Sequence, residues 1–295
     1  MQQIIRGEIS LPNFLATSGT IYIVATPIGN LADISQRALD TLKQVNQIAA
    51  EDTRHSKKLL AHYGINTPLL ALHEHNERSC IDDILNRVQQ GENFALISDA
   101  GTPLISDPGY RLVAKAQQLA IRVVPIPGCC AAIVALSAAG LPSDRFVFEG
   151  YLPTKTQARL SHLESLQHET GTLIFYEAPH RIVDSIEAMS QAFGSDRLAV
   201  IARELTKTFE TIHQATLGEL IGWLEQDKNQ QKGEFVVLVH GATIIQNADI
   251  EPETLRILSI LSAEMPLKQA TQLTAKISGE KKNRLYQYAL KCQND

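Results

Sequence analysis

Apolar positions along the chain alternate between two patterns, short unbroken runs and stretches with a period near 3.6. The first run is Thr20-Ile21-Tyr22-Ile23-Val24-Ala25-Thr26, which reads as a buried strand. Residues 1–19 show no period and read as an extension. A helix follows over about 33–45, with Leu39, Leu42 and Val45 on one face. Gln47-Ile48-Ala49-Ala50 reads as strand, Arg54 to Tyr63 as helix, Pro68 to His73 as strand and Phe94 to Ser98 as strand. Glu77 to Gln90 aligns Ile81, Ile84, Leu85 and Val88, with Gly91 as its cap. Asp107 to Ala120 reads as a helix with Pro108 in its first turn and Asp107 as its cap, and Arg122 to Ile126 as strand.

Strands alternating with helices predict an α/β fold, with a mostly parallel sheet over residues 20–126. Pro125-Ile126-Pro127-Gly128 turns the chain, and the small residues of Cys129 to Ala139 predict a tightly packed helix. A second α/β unit spans 127–243. Its strands are expected at Phe146–Glu149, Thr172–Tyr176, Leu198–Ala202, Thr211–Gln214 and Phe235–Val239, with helices at about 156–168, 180–192 and 218–225. Its two successive strands predict a mixed sheet. Residues 248–295 form a third section of three short helices, Glu253–Ala263, Pro266–Ser278 and Glu280–Cys292.

The formal net charge is −5, so the whole molecule is no electrostatic nucleic-acid binder, and an RNA partner needs a local basic patch. Residues 266–292 supply one: Lys268, Lys276, Lys281, Lys282, Arg284 and Lys291 stand against Glu280 alone. Such a run also fits a solvated helix face. The four cysteines, two of them adjacent, have neither a disulfide framework nor metal-ligand spacing. No signal-peptide pattern and no apolar run long enough for a membrane span stand out, so a cytoplasmic protein without a resident metal is expected.

In open α/β sheets ligands sit beyond the carboxyl ends of the strands. Thr26-Pro27-Ile28-Gly29-Asn30 follows the first strand and carries neither a dinucleotide fingerprint nor a nucleotide P-loop. Ser98 to Gly109 follows the fourth strand and holds two prolines, two glycines and two aspartates after Ser98. That is long for a strand-to-helix loop and predicts a rigid ligand cradle centred on Asp99 to Pro103. Pro127-Gly128-Cys129-Cys130-Ala131 lets a helix start close to a ligand.

Together with Ala50-Glu51-Asp52-Thr53-Arg54 and Ala202-Arg203-Glu204-Leu205-Thr206-Lys207, these segments resemble the small-subunit ribosomal RNA methyltransferase I family. That family belongs to the tetrapyrrole-methylase superfamily of S-adenosylmethionine enzymes. The resemblance runs from about residue 18 to 292. It implies two α/β domains of tetrapyrrole-methylase type, S-adenosyl-L-methionine as cofactor, and a homodimer. The implied substrate is a cytidine 2′-hydroxyl in the decoding region of 16S rRNA, free or in the small ribosomal subunit. Carried over by motif, Pro27, Ile28, Asp99, Gly101, Thr102, Pro103, Ile105, Cys130 and Ala131 hold the cofactor from the first domain. Tyr176, Arg203 and Glu234 hold it from the second. The superfamily often has Pro-Ser at Cys129-Cys130, a departure that removes one hydroxyl.

A 2′-hydroxyl calls for a positioned base. Asp52 or Glu204, with Lys207 nearby, is expected to handle the proton. Asp52 and Arg54 read equally as a helix cap with a surface ion pair, and His73 and His75 as a strand exit. Arg54, Arg181, Lys281, Lys282 and Arg284 are the expected RNA contacts, with Arg203 and Lys207 also placed to hold phosphate. Two rival readings are a small-molecule tetrapyrrole methyltransferase and a non-catalytic protein binding the cofactor and RNA.

Overall fold

A computed structural model of the chain describes residues 18–73, 76–243 and 250–294. The residues fall into two compact units, one up to Ala242 and one from Thr243.

The first unit contains two five-stranded sheets. Its amino-terminal sheet is built from β1 (Thr20–Val24), β2 (Gln47–Ala50), β3 (Leu69–Ala71), β4 (Phe94–Ile97) and β5 (Arg122–Ile126). They lie in the order β3-β2-β4-β1-β5, and every pairing is parallel. The crossovers carry α1 (Gln36–Gln44), α2 (Thr53–His62), α3 (Glu77–Gln89) and α4 (Tyr110–Gln118). A sheet covered on both faces needs apolar strands, which is why β4 is buried at all four positions. Ile21, Leu96 and Phe94 pack with Ile84 and Leu112 on one face, and Val24, Ile48 and Ile97 with Leu42 and Leu60 on the other.

α5 (Ala131–Ala138) leads to the second sheet. β6 (Phe146–Tyr151), β7 (Thr172–Glu177), β8 (Leu198–Arg203), β9 (Thr211–Thr216) and β10 (Phe235–Val239) lie in the order β6-β7-β10-β8-β9. β6 and β7 are parallel, and the other pairings are antiparallel, the expected mixed sheet. α6 (Thr156–Ser165), α7 (Ile182–Phe193) and α8 (Leu217–Gln226) complete this half. Leu163, Ile186, Met189, Leu220 and Leu224 pack on one face of its strands, while Ala132, Ala135 and Leu136 of α5 pack on the other.

Two expectations need correction. α4 starts at Tyr110, after Gly109 at φ 119°, so Asp107 caps nothing and Pro108 lies outside the helix. The helix cannot run from Asp107 because Gly109, between Asp107 and Tyr110, holds the left-handed conformation. The helix expected from about residue 33 starts instead at Gln36, where the Ser35 hydroxyl accepts the Ala38 N–H. Residues 31–33 form a short 3-10 turn.

The second unit holds α9 (Pro252–Glu264), α10 (Leu267–Ser278) and α11 (Lys282–Asn294). They close around Leu258, Ala270 and Leu285. α10 ends at Gly279 in the left-handed conformation, φ 77°.

Candidate functional site

The carboxyl ends of the first sheet's strands face a cleft of about 420 Å³, closed on the other side by the ends of β6, β7 and β8 and the start of β10, and its size is within the usual range for a small-molecule site. Its first wall is the loop after β4. Thr26 N–H donates to Gly101 O at 2.8 Å and Gly101 N–H to Thr26 O at 3.1 Å, a single antiparallel rung beyond the parallel sheet. Gly101 holds φ +81°, and a Cβ there would come within 3.3 Å of Ile28 Cγ2. The Thr102 hydroxyl donates to Cys129 O at 2.8 Å, which ties this loop to the segment before α5. Gly128 packs so closely on β1's exit that a Cβ would lie 2.7 Å from Ala25 Cβ. The cradle is thus shaped by backbone hydrogen bonds and missing side chains rather than by one dedicated ligand residue.

The second wall comes from the other sheet. Tyr176 at the end of β7 receives the Ala132 N–H on its hydroxyl at 3.3 Å, capping α5 where Cys130 makes no side-chain cap. Burial, with Cys130 beside it, pushes the Tyr176 phenol well up, so it stays protonated. Glu177 next to it is fully buried. It accepts Ala178 N–H at 2.8 Å and Ser185 Oγ–H at 2.5 Å, and Arg181 Nε lies 3.3 Å away.

Three carboxylates line the cleft from the first domain: Glu51 beyond β2, and Asp99 and Asp107 on the long loop. Burial and the charges of Asp107, Asp99 and Asp52 hold the Glu51 carboxyl above its ordinary value. Burial also raises Asp107, a hydrogen bond with Ser98 opposes the rise, and Asp99 adds to it. Asp99 is occupied by the Asp52 N–H, accepted at 3.1 Å. The charges acting on Glu51 are all of its own sign.

Of the residues expected to hold the cofactor, Ile28, Asp99, Gly101, Thr102, Ile105, Cys130, Ala131, Tyr176 and Glu234 line this cleft. Pro27, Pro103 and Arg203 do not. Arg203 is buried beneath the wall, its guanidinium donating to Lys232 O, Phe209 O and Thr211 Oγ1. It therefore braces the β8–β9 turn rather than meeting a ligand or a phosphate.

The expected base candidates sit differently. Asp52 caps α2, its Oδ1 accepting Arg54 N–H at 2.8 Å, and pairs with the Arg54 guanidinium at 3.3 Å. The hydrogen bonds from the Arg54 side chain and backbone hold its carboxyl below the ordinary value. It does not line the cleft, and of its two readings the helix cap is the one seen. Glu204 also stands behind the wall. Lys207 Nζ donates to Glu204 Oε1 at 2.9 Å and to Glu234 Oε2 at 2.8 Å, and Glu234 N–H donates to Glu204 Oε1 at 2.9 Å. The Lys207 stem lies over Gly29, where a Cβ would come 2.5 Å from Lys207 Cγ. Lys207 is therefore a clamp between the two walls.

Arg181, expected as a phosphate contact, donates through Nη2 to Leu152 O and Pro153 O at 2.7 and 3.2 Å and is mostly buried. Its donors serve the fold. Arg54 is exposed, Lys281 is exposed and Lys282 half-exposed, while Arg284 pairs with Glu280 at 2.7 Å. His73 donates its N–H to the Asn76 side chain in a tight turn, and His75 lies outside the described residues. Among the described residues no group of three or more His, Cys, Asp or Glu could hold a metal ion, and no helix is long and apolar enough to cross a membrane.

Among the lining residues that the sequence reading missed are Glu51, Ser106, Asp107, Tyr151, Glu177 and Pro179. Glu51 and Asp107 were findable, since each lies in a segment already marked beyond a strand's carboxyl end.

Residues 20–221 match the Tetrapyrrole (Corrin/Porphyrin) Methylases, and residues 248–293 match the RsmI C-terminal HTH domain. The chain is 59% identical over 278 residues to the ribosomal RNA small subunit methyltransferase I of Pseudomonas aeruginosa, covering 94% of this chain and 99% of that one. It is 56% identical to the protein of that name from Escherichia coli O157:H7, over 94% and 96% of the two chains. The chain belongs to the ribosomal RNA small subunit methyltransferase I family. Within that family it keeps the fold of distant solved structures. Diphthine synthase superposes with TM-score 0.58 at 14% identity, over 76% of this chain and 91% of that one. The uroporphyrin-III-C-methyltransferase of Thermus thermophilus superposes with TM-score 0.54 at 17% identity, over 75% and 94%.

Proposed function

We propose that this member of the family transfers a methyl group from S-adenosyl-L-methionine to the 2′-hydroxyl of a cytidine in the decoding region of 16S rRNA. The observation that carries the reading is near-full-length identity above 50% to proteins named as small-subunit rRNA methyltransferases. The cytidine and its 2′-oxygen rest on the resemblance of the motifs. A homodimer working in the cytoplasm is part of the same reading.

The cleft fits the cofactor on chemical grounds. Glu51, Asp99 and Asp107 suit a ligand carrying a sulfonium and an ammonium, and Ile28, Leu205, Phe235 and Val236 suit an aromatic base. Gly101 leaves its backbone open to close approach. When bound, the cofactor supplies a methyl group on a positively charged sulfur.

The chain's own part is to hold the acceptor in line and take its proton. Positioning supplies most of the acceleration in such a displacement. Glu51 is the base of this reading, because Asp99 accepts the Asp52 N–H, Asp107 is hydrogen-bonded with Ser98, Glu234 is paired with Lys207 and Glu177 is enclosed by donors. A raised Glu51 carboxyl is better matched to a hydroxyl proton than a lowered one. Lys281 and Lys282 of the basic helices serve as phosphate contacts.

The test is to offer labelled S-adenosylmethionine with small subunits lacking the modification, with free rRNA and with a porphyrinoid. Label is expected in the RNA, at a cytidine that becomes resistant to alkaline cleavage. Label in the porphyrinoid alone, or in no acceptor, refutes the reading.

A further inference from the structure

Tyr151 closes β6 at the edge of the second sheet, on the cleft wall, and is 59% exposed. Of the three aromatic residues lining the cleft, Tyr176 is half-buried, Phe235 is buried, and Tyr151 alone is open to solvent. Tyr110 and Phe209 are more exposed still, but neither lines the cleft.

Local structure puts it there. The β6–β7 register shifts between Phe148 and Gly150, so Glu149 is the extra residue of a bulge. Gly150 takes φ +66° at this point. A bulge breaks the alternation of side chains and re-aims those that follow. As a result Phe148 and Tyr151, three apart, both meet the Tyr176 ring, at centroid distances of 4.9 and 5.7 Å. Tyr176 packs against the Tyr151 ring, which otherwise stays open to solvent. The Arg181 guanidinium ties Leu152 and Pro153 to the turn carrying Pro179 and His180. Lys155 and His180, both exposed, follow on these two stretches.

We propose that Tyr151 is the platform on which the target nucleobase stacks once it leaves the RNA helix. The inference rests on the reading of the chain as an RNA methyltransferase and names the residue that seats its substrate. Sequence-specific RNA recognition splays single bases onto aromatic rings, and unstacking is required before an enclosed site can reach a nucleotide. A rim ring braced from behind and exposed in front has the form such a platform needs. Lys155 and His180 would meet the flanking backbone.

The test uses Tyr151→Ala and Tyr151→Phe in the full chain. Transfer to small subunits lacking the modification, affinity for those subunits without cofactor turnover, and affinity for S-adenosylmethionine are all measured. Tyr151→Ala should lower kcat/KM for the subunit and its affinity about tenfold or more. Tyr151→Phe should keep both, and in the alanine variant cofactor affinity should fall far less than affinity for the subunit. Three results overturn the proposal: an alanine variant with normal RNA kinetics, equal loss in both variants, or a loss of cofactor affinity that matches the loss of turnover. If the wild type binds the subunit but transfers nothing, the proposed reaction fails, and the affinities of the two variants still decide the role of Tyr151.

Discussion

The Lys207 ammonium lies between two carboxylates, 2.9 Å from Glu204 and 2.8 Å from Glu234. Burial works against the Lys207 charge, but Glu234 and Glu204 outweigh it and the group is held above its ordinary value. Glu204 is also desolvated, and its bonds from Lys207 and the Glu234 N–H bring it below the ordinary carboxylate value. Lys207→Met keeps the stem over Gly29 and removes the charge. A loss of about 1–3 kcal/mol is expected from the charged hydrogen bonds. Glu204's contribution is present above its ordinary value and vanishes as pH falls through its lowered one. Lys207's is present below its ordinary value and vanishes as pH rises through its raised one. Urea titrations of wild type and variant should therefore differ across the neutral range and converge in acid.

Glu51→Gln separates activity from stability. As the proposed base, its loss should slow transfer about 10²–10⁴-fold and remove the acid limb of the pH–rate profile. Because the folded protein raises this carboxyl, ionising Glu51 costs stability as pH rises through the window between its ordinary and raised values. The glutamine variant should therefore melt slightly above the wild type at neutral pH. A variant that is both active and less stable would remove Glu51 from the mechanism.

Arg181→Ala should unfold the protein more readily rather than change its salt response. It leaves the buried Glu177 without its cation, a change that costs about 3–5 kcal/mol for a buried pair. The slope of RNA affinity against salt should stay at the wild-type value.

The double substitution Lys281→Gln and Lys282→Gln should do the opposite. Removing each phosphate contact should reduce the slope of log affinity against log salt by about 0.7–0.9. Cofactor affinity and thermal stability should hold, since the ion pair at this end of the helix is made by Arg284 and Glu280 and stays intact. An unchanged slope would mark the helices' charge as a solvated face.

Two glycines with positive φ give a paired comparison. Gly64→Ala and Gly101→Ala both place a Cβ at a φ that costs about 1–2 kcal/mol. Gly64 has nothing within 4 Å, whereas the Cβ at Gly101 presses on Ile28 in the cleft. Calorimetry should show both variants destabilised, with only Gly101→Ala losing cofactor affinity.

Most of the scaffold was legible because burial repeats along the chain. β4 reads as a strand from four consecutive apolar residues, and α3 as a helix from Ile81, Ile84, Leu85 and Val88. The cleft's first wall was legible because ligand loops follow parallel strands. What escaped depends on local backbone and on partners far away in sequence. The left-handed Gly109 keeps Asp107 out of α4 and turns a supposed cap into lining. The bulge at Glu149 carries Tyr151 off the alternation that its neighbours predict. Arg181 and Arg203 look like free cations in sequence, yet carbonyls near them in the fold, several of them distant along the chain, use their donors.

The paired hydrogen bonds between Thr26 and Gly101 belong to the main chain. A surface drawn in peptide groups is inherited independently of most side chains. Substitution at Ala100 or Cys130 changes the lining and leaves the rung in place, so the backbone shape of the cradle holds while the side chains around it set which ligand it suits.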